Sequence, residues 1–223
     1  MDMLIVAVDG PAGAGKGTLS RALAHHFSFK HIDTGLIYRA LAHKALIEKI
    51  DFSNRDALIQ IAESLVANDL LNPCLRQEAI GNAASKIAII PMIREQLNQH
   101  IRRFCFEVKA PYKGIVLDGR DIGTVVFTDA HIKIFVTASP DIRAQRRSAE
   151  TTISGQPTTT DMLAQIHERD QRDQSRTIAP LMPAKDAIVI DTSKLSIDEA
   201  RQHVLVIISS YQQDHRQNRL EAI

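Results

Sequence analysis

The sequence predicts an α/β fold, a central parallel sheet with helices on both faces. Short apolar runs of strand length recur along the chain: Met3 to Val8, Gly114 to Asp118, His131 to Val136 and Ala187 to Asp191. Segments with helical spacing of apolar residues separate them. The first run passes through a glycine-rich turn, Gly10-Pro-Ala-Gly-Ala-Gly15-Lys16-Gly17-Thr18, into the helical pattern Leu19 to His26. The chain has 223 residues, 44% of them hydrophobic. That is enough for the core of one α/β domain with insertions and too short for two full-sized domains.

Taken in order, Phe27 to Ile32 reads as a second strand ending at Asp33. Thr34 is placed to cap a helix through about Leu46, with Ile37, Leu41 and Ala45 about one turn apart. Asp51-Phe-Ser-Asn54 is a turn, Asp56 to Leu65 resumes the helical pattern, and Leu71-Asn72-Pro73 breaks it. Glu78 to Ile89 and Met92 to Phe106 read as helices separated by Pro91. The runs at Gly114 and His131 have the short, apolar character of buried parallel strands. Ser139-Pro140 opens another helix, with proline in its first turn. Thr151 to Thr160, rich in Thr, Ser, Gly and Pro, reads as a mobile loop before a helix from Asp161 to about Arg176. After the last strand, Ile197, Ala200, Val204, Ile207 and Ile208 form the apolar stripe of a closing helix. From Gln212 the tail is polar and expected to fray.

Strand, glycine turn and helix together give the context of a P-loop. Glycines let successive N–H groups turn inward toward phosphate oxygens, and the helix N-terminus adds partial positive charge. Lys16 adds a full charge for the β- and γ-phosphates. Gly10, Pro11, Ala12, Gly13, Ala14, Gly15, Lys16, Gly17 and Thr18 are therefore the candidate ATP-binding residues. Many P-loops carry a Mg²⁺-contacting hydroxyl directly after the lysine. Here Gly17 follows Lys16 and the hydroxyl comes at Thr18, so contact with Mg²⁺ through water is expected.

Composition excludes other classes. No run approaches the length of a membrane span. The N-terminus enters a strand without the arrangement of a secretory signal, so a cytoplasmic location is the expectation. Cys74 and Cys105 lie outside any metal-ligand spacing and read as packing residues. The formal net charge is +1, and six arginines between Asp141 and Arg176 are matched by six acidic residues. Such balance suits arginines held around a small anion better than a nucleic-acid surface.

Strand ends gather ligands in an open parallel sheet. Arg39 stands one turn into the helix after Asp33, and Arg120 lies in Asp118-Gly-Arg-Asp121, directly after a strand. Arg169, Asp173 and Arg176, at i, i+4 and i+7, share a helix face. Guanidinium groups bind phosphate bidentately and stay charged. Arg21 and Arg201, by contrast, read as surface residues.

In this order and spacing the motifs resemble the bacterial-type cytidylate kinases. The matching segments are Asp9 to Thr18, Asp33-Thr-Gly-Leu-Ile-Tyr-Arg39, and Asn82-Ala-Ala-Ser85 with Pro91 and Arg94. They continue with Asp118-Gly-Arg-Asp-Ile-Gly-Thr124, Glu168-Arg-Asp-Gln-Arg-Asp173, and Arg176 with Ala179-Pro-Leu181. The resemblance implies a three-layer fold of the P-loop NTPase type, one domain with a core of about 1–35, 113–150 and 177–211. It implies a helical acceptor-binding insertion at about 36–112, a short lid at about 146–176 and a polar tail at 212–223. ATP with Mg²⁺ would be the donor and CMP or dCMP the acceptor, in a monomer that needs no nucleic acid or membrane. Ser85, Arg94 and Asp121 would read the cytosine edge. Arg39, Arg120 and Arg176 would hold the acceptor phosphate, and Arg169 and Asp173 the sugar, with Thr34 beside them. Arg146 or Arg147 would belong to a lid over ATP; Lys16, Arg120 and Arg176 would be catalytic.

One region departs from that pattern. Members carry an extended-strand insert before the segment matching Leu75-Arg76, whereas Val66 to Cys74 shows little strand alternation. A smaller acceptor subdomain is expected, with Arg76 as a possible support. Adenylate, uridylate or shikimate kinases share the scaffold, and a P-loop protein without kinase turnover is a further alternative. No general base is required, because the acceptor phosphate is already anionic. The nine histidines are scattered, with His25 and His26 on a solvated face.

Overall fold

The structure, a computed structural model, describes residues 3–150 and 159–221. Five parallel strands, β1 (Leu4–Asp9), β2 (Lys30–Asp33), β3 (Gly114–Asp118), β4 (Ile132–Thr137) and β5 (Ile188–Asp191), form one sheet in the order β2-β3-β1-β4-β5. Central β1 pairs Val6 with Val116 of β3 and with Ile132 of β4.

Strand alternation sorts the side chains into two cores. Val6, Val8, Val116, Ile134 and Val136 face α1 (Lys16–Phe27) and α8 (Ile197–Glu221), meeting Leu19, Leu23, Val204 and Ile208. Ala7, Ile115 and Leu117 face the other way, onto the helical insertion. That insertion holds α2 (Thr34–Ile47), α3 (Arg55–Glu63), α4 (Glu78–Ile87) and α5 (Pro91–Phe106). Ile37, Leu41, Leu58, Ile87, Ile93 and Leu97 are almost wholly buried between them. Asn54 starts α3 by accepting from the Ala57 amide, as N-cap residues do. The two remaining helices, α6 (Pro140–Glu150) and α7 (Thr159–Gln174), pack together through Ala144, Met162 and Ile166.

Several boundaries differ from expectation, each for a local reason. Phe27 ends α1 instead of opening β2, because Ser28 turns the chain through the left-handed region at φ 58°. Thr34 does not cap α2: its hydroxyl donates to the Asp118 carbonyl at 2.8 Å, and Asp33 holds the cap position. The two helices part just before Pro91, at residues 88–90, and Pro91 itself begins α5, where its missing N–H costs nothing. Ile197 is 61% exposed and lies off the buried stripe of α8. The backbone of α8 continues through Glu221, so the polar tail extends the helix. Residues 66–74, lacking strand alternation, form 3₁₀ turns at Ala67–Leu71 and from Pro73. The expected mobile loop lies outside the described residues over 151–158, while Thr159 and Thr160 begin α7.

Candidate active site

The loop after β1 is shaped by backbone. Gly10 has φ 145°, and a Cβ there would lie 1.9 Å from the Val136 carbonyl oxygen. Gly15, at φ 88°, occupies the cap position of α1 with no side-chain cap. The first-turn amides are therefore left to the loop, as an anion site requires. Lys16 is buried and its Nζ donates to the Pro11 carbonyl at 2.7 Å. Burial pushes its pKa well below the ordinary lysine range, and Arg120 adds to that fall. Such a cation gains most from an anion placed beside it. On the far side of the loop is a cavity of about 280 Å³ lined by Gly13, Gly15, Thr18, Arg146 and Thr192 among others. Arg146 is fixed there by Thr192, through Oγ1 at 3.0 Å and the carbonyl at 2.7 Å.

A buried carboxylate joins this loop to the next strand end. Asp9 accepts from the Ile122 and Gly123 amides, both at 2.8 Å. These amides open a single turn of π-helix, Ile122–Val126, directly after Asp118-Gly-Arg-Asp121. Burial raises the Asp9 pKa to about 6, against the lowering effect of its two hydrogen bonds.

Across the crevice, one hollow is lined by all nine expected acceptor residues: Thr34, Arg39, Ser85, Arg94, Arg120, Asp121, Arg169, Asp173 and Arg176. They arrive from α2, α4, α5, the turn after β3, α7 and the segment beyond it. Carboxylates and carbonyls hold the arginines in place. Asp173 receives Arg120 Nε at 3.1 Å and is ion-paired with Arg176. Although burial raises the Asp173 pKa, Arg120, Arg176 and Arg169 outweigh it and hold the carboxyl low. Arg94 is ion-paired with Asp121 and donates to the Ala88 carbonyl at 3.1 Å. Arg39 donates to the carbonyls of Leu75 at 2.7 Å and Gln77 at 3.2 Å.

Positive charge still exceeds negative at the hollow. Burial pushes the Arg169 guanidinium down to about 9, and Arg120 adds to the shift. Arg169 Nε and both Nε and Nη1 of Arg176 are buried without a hydrogen-bond partner among the described residues. Buried donors of this kind cost about 1–3 kcal/mol each until matched. An anion with several oxygens meets that demand.

Three contributors escaped the sequence reading. Tyr38 lines the hollow, with Arg94 over its ring at 5.6 Å; its place one residue before Arg39 was the available signal. Arg172 donates to Ser85 Oγ at 3.2 Å. Arg143, almost fully buried, donates to the loop carbonyl of Ala12 at 3.2 Å and forks onto Asp170 at 3.0 and 2.5 Å. Nothing in the sequence distinguished it from neighbouring arginines.

A phosphate loop by itself suits many proteins. A second hollow, lined by five arginines and holding buried N–H groups without partners among the described residues, points toward P-loop kinases. The model of the cytidylate kinase family matches residues 6–210, and the chain belongs to that family. It is 47% identical over 210 residues to a cytidylate kinase from Methylocella silvestris, covering 93% of this chain and 94% of that one. A cytidylate kinase from a Bradyrhizobium species is 41% identical over 208 residues, covering 93% and 96%. The crystal structure of a gluconokinase from Sinorhizobium meliloti 1021 superposes with a TM-score of 0.50 at 13% identity, covering 96% of this chain and 97% of that one. At that identity the likeness concerns the fold alone.

Proposed function

We propose that this chain transfers the γ-phosphate of ATP to CMP or dCMP, yielding ADP and CDP or dCDP. An oxygen of the acceptor phosphate attacks Pγ in line, and the bond from Pγ to the β–γ bridging oxygen breaks as ADP leaves. Catalysis is then positioning and charge neutralisation, with no proton to remove first.

The P-loop amides from Gly10 to Thr18 and Lys16 hold the donor phosphates, with Arg146 at the cavity beyond the loop. Arg39, Arg120 and Arg176 take the acceptor phosphate, and Arg169 and Asp173 the sugar. Cytosine presents an amine donor beside a ring-nitrogen acceptor. The Asp121 carboxylate suits the first and the Arg94 guanidinium the second, with Ser85 alongside. Uracil offers a carbonyl and an N–H at those places, so both contacts turn repulsive or are lost. The fixed Arg94–Asp121 pair supports this role, since a pre-set pair resists rotating to suit the wrong base.

Mg²⁺ brought in with ATP would supply neutralisation of phosphate charge. The oxygen donors beside the loop are Thr18 and Asp118, whose Oδ2 is 4.0 Å from where a Cβ on Gly17 would stand. Hard oxygens suit Mg²⁺, but no cluster of three or more His, Cys, Asp or Glu able to hold an ion occurs among the described residues. The residues fit an ion carried mainly by phosphate and water. Among the described residues no helix is long and apolar enough to cross a membrane. A cytoplasmic monomer working on free nucleotides completes the reading.

Convergence of the nine acceptor residues on one hollow is the observation that carries it. An ADP-release assay across AMP, CMP, dCMP, UMP and shikimate tests it. Turnover should be confined to CMP and dCMP. Equal rates with UMP or AMP would overturn the base assignment, and turnover of shikimate alone would overturn the acceptor class.

A further inference from the structure

Glu78, the first residue of α4, belongs to none of the motifs above. Its carboxylate is ion-paired with Arg147 of α6, a contact that joins the helix after β4 to the acceptor insertion. Arg147 comes from the donor side: its Cγ is 3.5 Å from where a Cβ on Gly13 would stand. On the acceptor side, Gln77 offers its carbonyl to Arg39 at 3.2 Å. Three residues beyond Glu78, a Cβ on Gly81 would lie 2.7 Å from Arg39 Nη2. Glu78 and Arg39 also feel each other's charge. Burial pulls the Arg39 pKa down, Glu78 counters that fall, and Arg147 adds to it. The start of α4 thus stands between one arginine over the P-loop and one in the acceptor hollow. Both partners are largely shielded, Arg147 at 14% and Glu78 at 30% side-chain exposure, so solvent weakens their attraction less than at an open surface.

We propose that the Glu78–Arg147 ion pair couples the two nucleotide sites, making Glu78 a positioning residue through which a bound donor strengthens acceptor binding. Donor phosphates beneath Arg147 steady α6. Glu78 passes that restraint to the start of α4, whose N-cap Gln77 holds Arg39 through its carbonyl and whose helix leads to Ser85. A steadied α4 removes part of the ordering cost that the acceptor would otherwise meet. By linkage the acceptor tightens donor binding by the same factor.

The inference rests on the (d)CMP kinase reading for the identity of the acceptor. Its test is calorimetric titration of CMP with and without saturating Mg²⁺ and a non-hydrolysable ATP analogue. The analogue should tighten CMP binding roughly five- to tenfold in the unmodified protein. Glu78→Gln should bind CMP alone within about twofold of the unmodified protein yet lose the gain, while Glu78→Asp keeps most of it. Arg147→Met should lose the gain too, and the double variant no more than either single one. Retention of the gain in Glu78→Gln overturns the proposal. So does CMP binding weakened equally with and without the analogue, the mark of a packing role. Should Glu78→Gln fail to fold, Arg147→Met decides, and its keeping the gain overturns the coupling. An unmodified protein that binds CMP without any gain removes the coupling alone. One that binds CMP under neither condition removes the acceptor assignment and the coupling with it.

Discussion

On the proposed reading, the P-loop and the arginine-lined hollow solve the same problem with different materials. In the loop, a contiguous run from Gly10 to Thr18 offers uncapped backbone amides at the start of α1, with Lys16 as its one cation. The hollow takes guanidinium groups from α2, α5, α7 and two connecting segments, and holds them with Asp121, Asp173 and main-chain carbonyls. Backbone amides are fixed by the fold and need no counter-charge. Mobile, mutually repelling arginines have to be ordered by carboxylates before a substrate arrives. The loop is therefore sensitive at its positive-φ glycines and at Lys16, whereas the hollow is sensitive at every arginine and at every carboxylate that orders one.

Four substitutions sharpen or break that contrast. Lys16→Ala removes the only side-chain cation of the loop, and turnover should fall by roughly 10³-fold or more while circular dichroism stays unchanged. Undiminished turnover would reject the donor assignment. Arg176→Ala should lower kcat/KM for CMP by about 10²–10³-fold with little change in the KM for ATP. A matching rise in both KM values would mean that the two sites are not distinct.

Asp121→Ala acts on specificity and stability together. The CMP-to-UMP preference should drop about 10- to 100-fold. Arg94, left charged and buried, should also cost roughly 3 kcal/mol in a denaturant melt. An unchanged preference would remove Asp121 from base reading. Asp9→Asn probes the joint between the regions. In the folded chain the Asp9 proton is held up to about pH 6, against an ordinary value of 3.8. The stability it contributes is therefore full below about pH 4 and lost as pH rises through about 6. Unfolding midpoints between those pH values should show a decline of about 2 kcal/mol that Asp9→Asn flattens. An identical pH profile in the variant would show that the carboxyl is not perturbed.

What the sequence made legible follows the same division. Local chemistry reads well: β3 is found at Gly114–Asp118 as expected, and Gly10, Gly13 and Gly15 of the loop take positive φ values. Elements governed by tertiary contacts read less well. Thr34 looks like a cap until its hydroxyl finds the Asp118 carbonyl, 84 positions away in the chain. The π-helical turn after Asp121 is fixed by Asp9, 113 positions from Ile122. At the hollow, Arg120 is marked by its flanking glycines and Tyr38 only by its place before Arg39, while Arg143, beside the P-loop, carries no local mark. Their positions become meaningful only once α7 and α5 are packed beside them.

The two hydrogen bonds that Asp9 accepts have a consequence for substrate length. They tie the root of the P-loop to the turn carrying Arg120 and Asp121, so on the proposed reading these two parts of the site keep one spacing. A kept spacing would select by reach, favouring an acceptor whose phosphate stands one arm's length from its base over shorter or longer ones.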